Sequence, residues 1–187
     1  MKNVENSNYL LSTRSVILLV GEPGVGKTTI IKKIIDKKEY QFSGFYTKEI
    51  LLGDHRVGFR IVSLDGATDI LATKNLDVIF PRDVQFGNYK VNLDAIDNVA
   101  VRSLKRKISI DTIIIVDEIG PMEILSDLFC SAVMEILNKS SNTILGTISQ
   151  RKYEFTKIVK RHHRVKLLDV TAENRDIIPK KIESLLT

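Results

Sequence analysis

GEPGVGKTT, residues 21–29, lies between the apolar run Ser15-Val16-Ile17-Leu18-Leu19-Val20 and the helix-like run Ile30-Ile31-Lys32-Lys33-Ile34-Ile35. The stretch matches G-x-x-x-x-G-K-[ST] at Gly21, Gly26, Lys27 and Thr28, with a strand expected before it and a helix after it. Each residue type has its own reason to be there. Gly24 and Gly26 let the backbone curl until successive N–H groups converge on one anion. The helix beginning near Lys27 turns its positive end toward the same point. Lys27 is spaced to reach β- and γ-phosphates, and the Thr28 hydroxyl to ligate Mg²⁺. An accidental glycine-rich turn lacks this context. Residues Gly21, Glu22, Pro23, Gly24, Val25, Gly26, Lys27, Thr28 and Thr29 are therefore read as a nucleotide-binding phosphate loop.

Outward from the loop, short apolar runs recur at 112–117 (TIIIVD), 143–148 (TILGTI) and 165–170 (VKLLDV). Their near-continuous apolar character suits parallel strands covered on both faces. Helical patterns fall between them, at 27–38, 94–107, 122–138, 153–161 and 173–186. Pro121 suits the first position of the third, and Ile177, Ile178, Ile182, Leu185 and Leu186 share one face of the last. Strands alternating with helices predict a mostly parallel α/β sheet with helices on both faces. Residues 43–73 break the rhythm. Gly53-Asp54 and Asp65-Gly66 mark turns between β-rich runs, and Val57, Phe59 and Ile61 alternate with Gly58, Arg60 and Val62. An antiparallel meander is expected there, joined by 88–92 (NYKVN). It would cover the nucleotide or extend the sheet edge, and the edge is the simpler expectation.

A phosphate loop that works with a divalent cation needs a carboxylate partner. Asp117, ending a buried run, is the candidate Mg²⁺ ligand, directly or through water. Glu118 beside it is the candidate group for orienting and deprotonating attacking water. Neighbouring strand residues face opposite ways, so the chain is expected to leave the strand at Glu118, helped by Gly120-Pro121.

Polar groups elsewhere have competing uses. Thr147, Ser149 and Gln150 end a core strand, where they would sense a γ-phosphate or, for Ser149, cap the next helix. Arg151, Lys152, Lys157, Lys160, Arg161, Arg164 and Lys166 oppose a single acid, Glu154, as a source of a phosphoryl-stabilising arginine or as a solvated face. Thr171 reads as a helix N-cap, and Glu123 as an acid in a first helical turn, favoured by the dipole. Cys130 and Met134 fall on an apolar helix and are expected in the core. His162-His163 and His55 lack partners at metal spacing and are assigned no metal.

The 187 residues, 43% hydrophobic and 27% charged, suit one globular domain over 14–187 after a flexible lead-in at 1–13. One cysteine excludes an internal disulfide and fits a reducing compartment. No apolar run approaches bilayer length and no signal-peptide segment opens the chain, so a cytoplasmic protein without membrane contact is expected. The net charge of +5 permits nucleic acid, but no aromatic-interleaved basic platform is present. A monomer is expected rather than an obligate oligomer.

GEPGVGKTT, GFYTKEI, RVGFRIVSLDG, VDEIGPME and DVTAENRDIIP, in that order, together resemble the small nucleoside-triphosphatase family first described from thermophiles. Its vertebrate member is called cancer-related nucleoside-triphosphatase. The resemblance runs from about residue 15 to the C-terminus. It implies a RecA-like variant of the P-loop NTPase fold, Mg²⁺, hydrolysis of several nucleoside triphosphates to diphosphate and phosphate, and Glu118 as the residue positioning water. The segment after TILGTISQ departs from the family pattern and leaves its basic residue unassigned. Two other functions compete. One is a kinase passing the γ-phosphoryl group to a nucleoside, nucleotide or polynucleotide end. The other is a nucleotide-dependent RNA-associated switch.

Overall fold

Val16–Val20 (β1) is buried at all five positions. Val16, Leu18 and Val20 join one core layer while Ile17 and Leu19 join another, as a strand covered on both faces requires. The computed structural model describes residues 15–37 and 39–186; the expected lead-in at 1–13 lies outside them. Around β1 a nine-stranded sheet runs in the order β5-β6-β4-β3-β2-β7-β8-β1-β9.

Its parallel half comprises β1, Ile113–Ile119 (β7), Ile144–Ile148 (β8), Val165–Asp169 (β9) and the first residues of Phe42–Leu52 (β2). The antiparallel half comprises β2, His55–Ser63 (β3), Thr68–Thr73 (β4), Asp83–Phe86 (β5) and Tyr89–Asn92 (β6). β2 belongs to both. It pairs parallel with β7 from Phe42 to Tyr46, where Tyr46 meets Asp117, and then continues through Leu52 in antiparallel register with β3. The overhang therefore projects past Asp117, at the end of the sheet where β1 delivers its loop. The meander both extends the sheet and overhangs that end.

Helices Lys27–Ile35 (α1) and Ile178–Leu186 (α6) cover one face with Ile30, Ile31, Ile34, Ile178 and Ile182. Asp127–Lys139 (α4), Glu154–Lys160 (α5) and the helical run from Leu93–Ala95 (α2) through a π-helical Ile96–Val101 to Arg102–Leu104 (α3) cover the other. The expected α/β fold, a parallel sheet with helices on both faces and an antiparallel meander, is observed, the meander making up the antiparallel half of a mixed sheet.

Several element boundaries differ from expectation for identifiable reasons. The helix foreseen over 122–138 is broken. A 3₁₀ turn at Glu123–Leu125 ends at Ser126, whose extended backbone and Oγ, accepting from Phe129 N at 3.1 Å, start α4 afresh. The helix foreseen from 173 begins at Ile178, after turns in which Asn174 O takes the N–H groups of Ile177 and Ile178. Ile177 accordingly faces solvent. β9 is an edge strand with only Leu168 buried, so its apolar run is not covered on both faces. Met134 packs against the core from its margin, and Cys130 is half-buried with Sγ donating to Ile124 O at 3.6 Å.

Candidate active site

Gly24 and Gly26 take φ of 80° and 110°, a region that costs other residues energy. This curl brings the loop onto the N-terminus of α1, where Gly26 is the N-cap and its carbonyl accepts from Ile30 N. Lys27 is buried at the first position of α1. Its Nζ donates to Gly21 O at 2.9 Å and Glu22 O at 3.1 Å, which holds the ammonium inside the loop. The loop thus gathers N–H dipoles, a helix terminus and a fixed cation at one anion-binding point.

Asp117 reaches the same region from β7. It is 0% exposed. One oxygen, Oδ1, accepts from Thr28 Oγ1 at 3.3 Å and from Thr147 Oγ1 of β8 at 2.7 Å. The other, Oδ2, is buried and accepts from no donor. Burial raises the Asp117 pKa, against the two hydroxyls and the charges of Lys32 and Lys27. A buried carboxylate oxygen without a partner, next to a hydroxyl, is a donor set of hard oxygens that fits Mg²⁺. Among the described residues no cluster of three or more His, Cys, Asp or Glu offers an alternative metal site, and Mg²⁺ needs few protein carboxylates.

Glu118 lines a cleft of about 940 Å³ that opens over the phosphate loop, within the size range of small-molecule sites. β7 does not end at Glu118 as expected. It continues to Ile119, with a cis Asp117–Glu118 peptide and a register shift against β8 between Val116 and Ile119. Such a shift re-aims side chains that strict alternation would send to opposite faces. Burial raises the Glu118 pKa as well; Lys27 opposes the rise and Asp117 adds to it.

Other groups line this cleft, and sequence reasoning had not assigned them to it. Thr47, Lys48, Glu49 and Arg56 come from the β2–β3 overhang, with Arg56 Nη1 on Glu49 Oε1 at 2.6 Å. Their signal is weak, because a polar hairpin end looks the same whether it meets solvent or a ligand. Glu123 also lines the cleft, and is buried rather than resting on an exposed helical turn. Its signal was an acid set among Met122, Ile124 and Leu125 just before the cap Ser126-Asp127.

The basic 151–166 segment separates by role. Arg151 lines the cleft with Ser149 and Gln150. Arg164 is buried and donates to Leu137 O at 2.7 Å and Ile136 O at 3.4 Å, satisfying carbonyls at the end of α4. Ser149 does not cap α5, whose N-cap is Tyr153; its Oγ accepts from Arg151 N instead. Thr171 caps no helix either; α6 begins at Ile178, and the Thr171 N–H donates to Asn174 Oδ1 at 2.9 Å. Arg175, four residues on, has its Cδ 3.8 Å from where a Cβ on Gly26 would sit. His162 stacks on His163 and meets Asn138 Oδ1 at 3.2 Å.

A glycine-curled amide loop on a helix terminus, after a strand in the parallel half of the sheet, defines the P-loop NTPase class. Comparison with known proteins narrows the class. A family model described as NTPase matches residues 16–183. Nucleoside-triphosphatase THEP1 of Thermotoga maritima is 39% identical over 170 residues, 91% of this chain and 94% of that protein. The human cancer-related nucleoside-triphosphatase is 33% identical over 171 residues, covering 86% and 90%. The crystal structure of THEP1 from Aquifex aeolicus superposes with a TM-score of 0.79 at 34% identity, over 91% of this chain and 98% of that one. The solution structure of the human protein gives 0.76 at 33% identity, over 93% and 97%. The chain belongs to this family of nucleoside-triphosphatases and is an enzyme that hydrolyses nucleoside triphosphates. No helix among the described residues is long and apolar enough to cross a membrane.

Proposed function

We propose that the protein is a Mg²⁺-dependent nucleoside-triphosphatase of broad base tolerance, acting on ATP, GTP, CTP and UTP, with residues 21–29 as the phosphate cradle. The observation that carries this reading is Asp117, bonded to Thr28 through one oxygen and unpartnered through the other, beside Glu118 at the cleft. Thr28 and Asp117 would hold the ion, which when bound neutralises charge on β- and γ-phosphate oxygens.

The chain's own residues do the rest. Loop amides and Lys27 bind the triphosphate and stabilise charge as the γ-phosphoryl group transfers. Glu118 orients a water molecule and takes its proton. The water oxygen forms the new bond to phosphorus, the bond to the β–γ bridging oxygen breaks, and the diphosphate leaves with that electron pair. Thr147 holds Asp117 in place. Arg151 is the cleft-lining arginine of the segment after β8 and is assigned to charge stabilisation. The sequence carries no clear base-reading motif, hence the expected tolerance.

A glutamate directly beside the metal-binding Asp117 is the arrangement that NTPases use for water, which supports hydrolysis over transfer to an alcohol. The test is phosphate release from each of the four triphosphates, with and without Mg²⁺ and with and without nucleoside acceptors. Comparable release from all four, dependent on Mg²⁺ and indifferent to acceptor, is expected. γ-Label appearing on an acceptor, or a single accepted base, contradicts it.

A further inference from the structure

Glu123 is a buried carboxyl that this mechanism leaves unused. It sits on the 3₁₀ turn Glu123–Leu125, is 5% exposed, and shares the cleft with Glu118. Both carboxyls border Gly120. A Cβ added there would stand 2.8 Å from Glu123 Oε2 and 3.1 Å from Glu118 Oε1. Gly120 is not among the glycines with positive φ, so its backbone would accept alanine; what excludes a side chain is the carboxyl pair. The backbone N–H groups of Gly120 and Glu123 lie near the Glu123 carboxyl and oppose the rise in its pKa.

Two elements pack on the turn. β7 presents Glu118 and Asp117, both of like sign. On α4 the nearest titratable groups in sequence are Asp127 and Cys130, whose Sγ bonds Ile124 O. Lys27 bears on Glu118. Burial first, then the charge of Glu118, pushes Glu123 up to about 8. At neutral pH it is a carboxylic acid that adds no charge and has an O–H to donate.

We propose that Glu123 is a positioning residue for hydrolysis, holding the Glu118 carboxylate in one orientation toward the cleft. This rests on Glu118 being the water-activating group. A neutral neighbour can fix a carboxylate without competing for its cation, and an error of about 1 Å in such a group costs on the order of 10²-fold in rate.

The test compares Glu123→Ala, Glu123→Gln and Gly120→Ala with the parent in ATP hydrolysis with Mg²⁺, affinity for a non-hydrolysable triphosphate analogue, and thermal unfolding. Glu123→Ala should lower kcat about 10–100-fold, with KM and analogue affinity within about threefold. Glu123→Gln, which keeps the shape and a donor, should recover most of that loss. Gly120→Ala, which displaces both carboxyls, should lower kcat like Glu123→Ala. The parent's kcat should decline as pH rises through about 8, where Glu123 ionises, and Glu123→Gln should not decline there. Parental kcat in Glu123→Ala, or damage in Glu123→Gln equal to that in Glu123→Ala, overturns the proposal. If Glu123→Ala does not fold, parental kcat in Gly120→Ala overturns it. Glu118→Gln separates the two levels. An active Glu118→Gln refutes the mechanism beneath, whereas an inactive one beside a fully active Glu123→Ala refutes only the role of Glu123.

Discussion

In the parallel half of the sheet Lys27 and Asp117 are buried at the cleft; in the antiparallel half Lys48, Glu49 and Arg56 line it from exposed positions. Lys27 is buried with two carbonyl partners, and Asp117 is buried with two hydroxyls. Arg56, by contrast, is exposed, with Glu49 Oε1 at 2.6 Å, the Tyr89 hydroxyl at 3.2 Å and the Phe59 ring centroid 5.0 Å from its guanidinium. A group that must meet developing charge at a fixed distance gains from a rigid, desolvated setting. A group that only meets the outer parts of a ligand does not, and an exposed ion pair is worth little. The comparison assigns bond-breaking to the parallel half and ligand fitting to the overhang.

Lys27→Ala should show the largest effect, a loss of about 10³-fold in kcat/KM with most triphosphate affinity gone; a nucleotide titration alongside phosphate release checks it. Retained tight binding would remove the phosphate loop from its role. Arg151→Ala, on the segment leaving β8, should lower kcat by about 10²-fold with KM little changed. Arg56→Ala should raise KM by no more than about fivefold and leave kcat nearly intact. A collapse of kcat in Arg56→Ala instead would break the comparison and make the overhang a catalytic element.

The smallest effect is on stability. Glu123 moves from an ordinary 4.5 to about 8 in the folded protein. Its raised value stabilises the fold fully below about pH 4.5, and this contribution is lost as pH rises through about 8. Glu123→Gln cannot ionise, so its Tm relative to the parent should rise between about pH 5 and about pH 8. A pH-independent difference would contradict the assigned environment.

How much of this the sequence discloses follows the same division. β1, β7 and β8 read correctly because strands covered on both faces are apolar without interruption, and the loop motif carries its own chemistry. β5, with the sequence DVQF and an exposed-to-intermediate burial pattern, gives little periodic signal and went unread. The role of Glu123 was hidden because it depends on where a helix begins. With Pro121 taken as the first helical residue, the acid belongs to a first helical turn and is explained by the dipole. With Ser126 as the cap, it turns inward against Glu118. Likewise, alternation alone would separate Asp117 from Glu118. β7 instead runs on past Glu118, with a register shift against β8 between Val116 and Ile119, and Glu118 lines the cleft.

The most direct test of the account is Glu118→Gln, measured for Mg²⁺-triphosphate affinity and for single-turnover phosphate release. Affinity within about threefold of the parent, with release slowed by about 10²–10³-fold, is predicted. Release at the parental rate from a variant that still binds would contradict it.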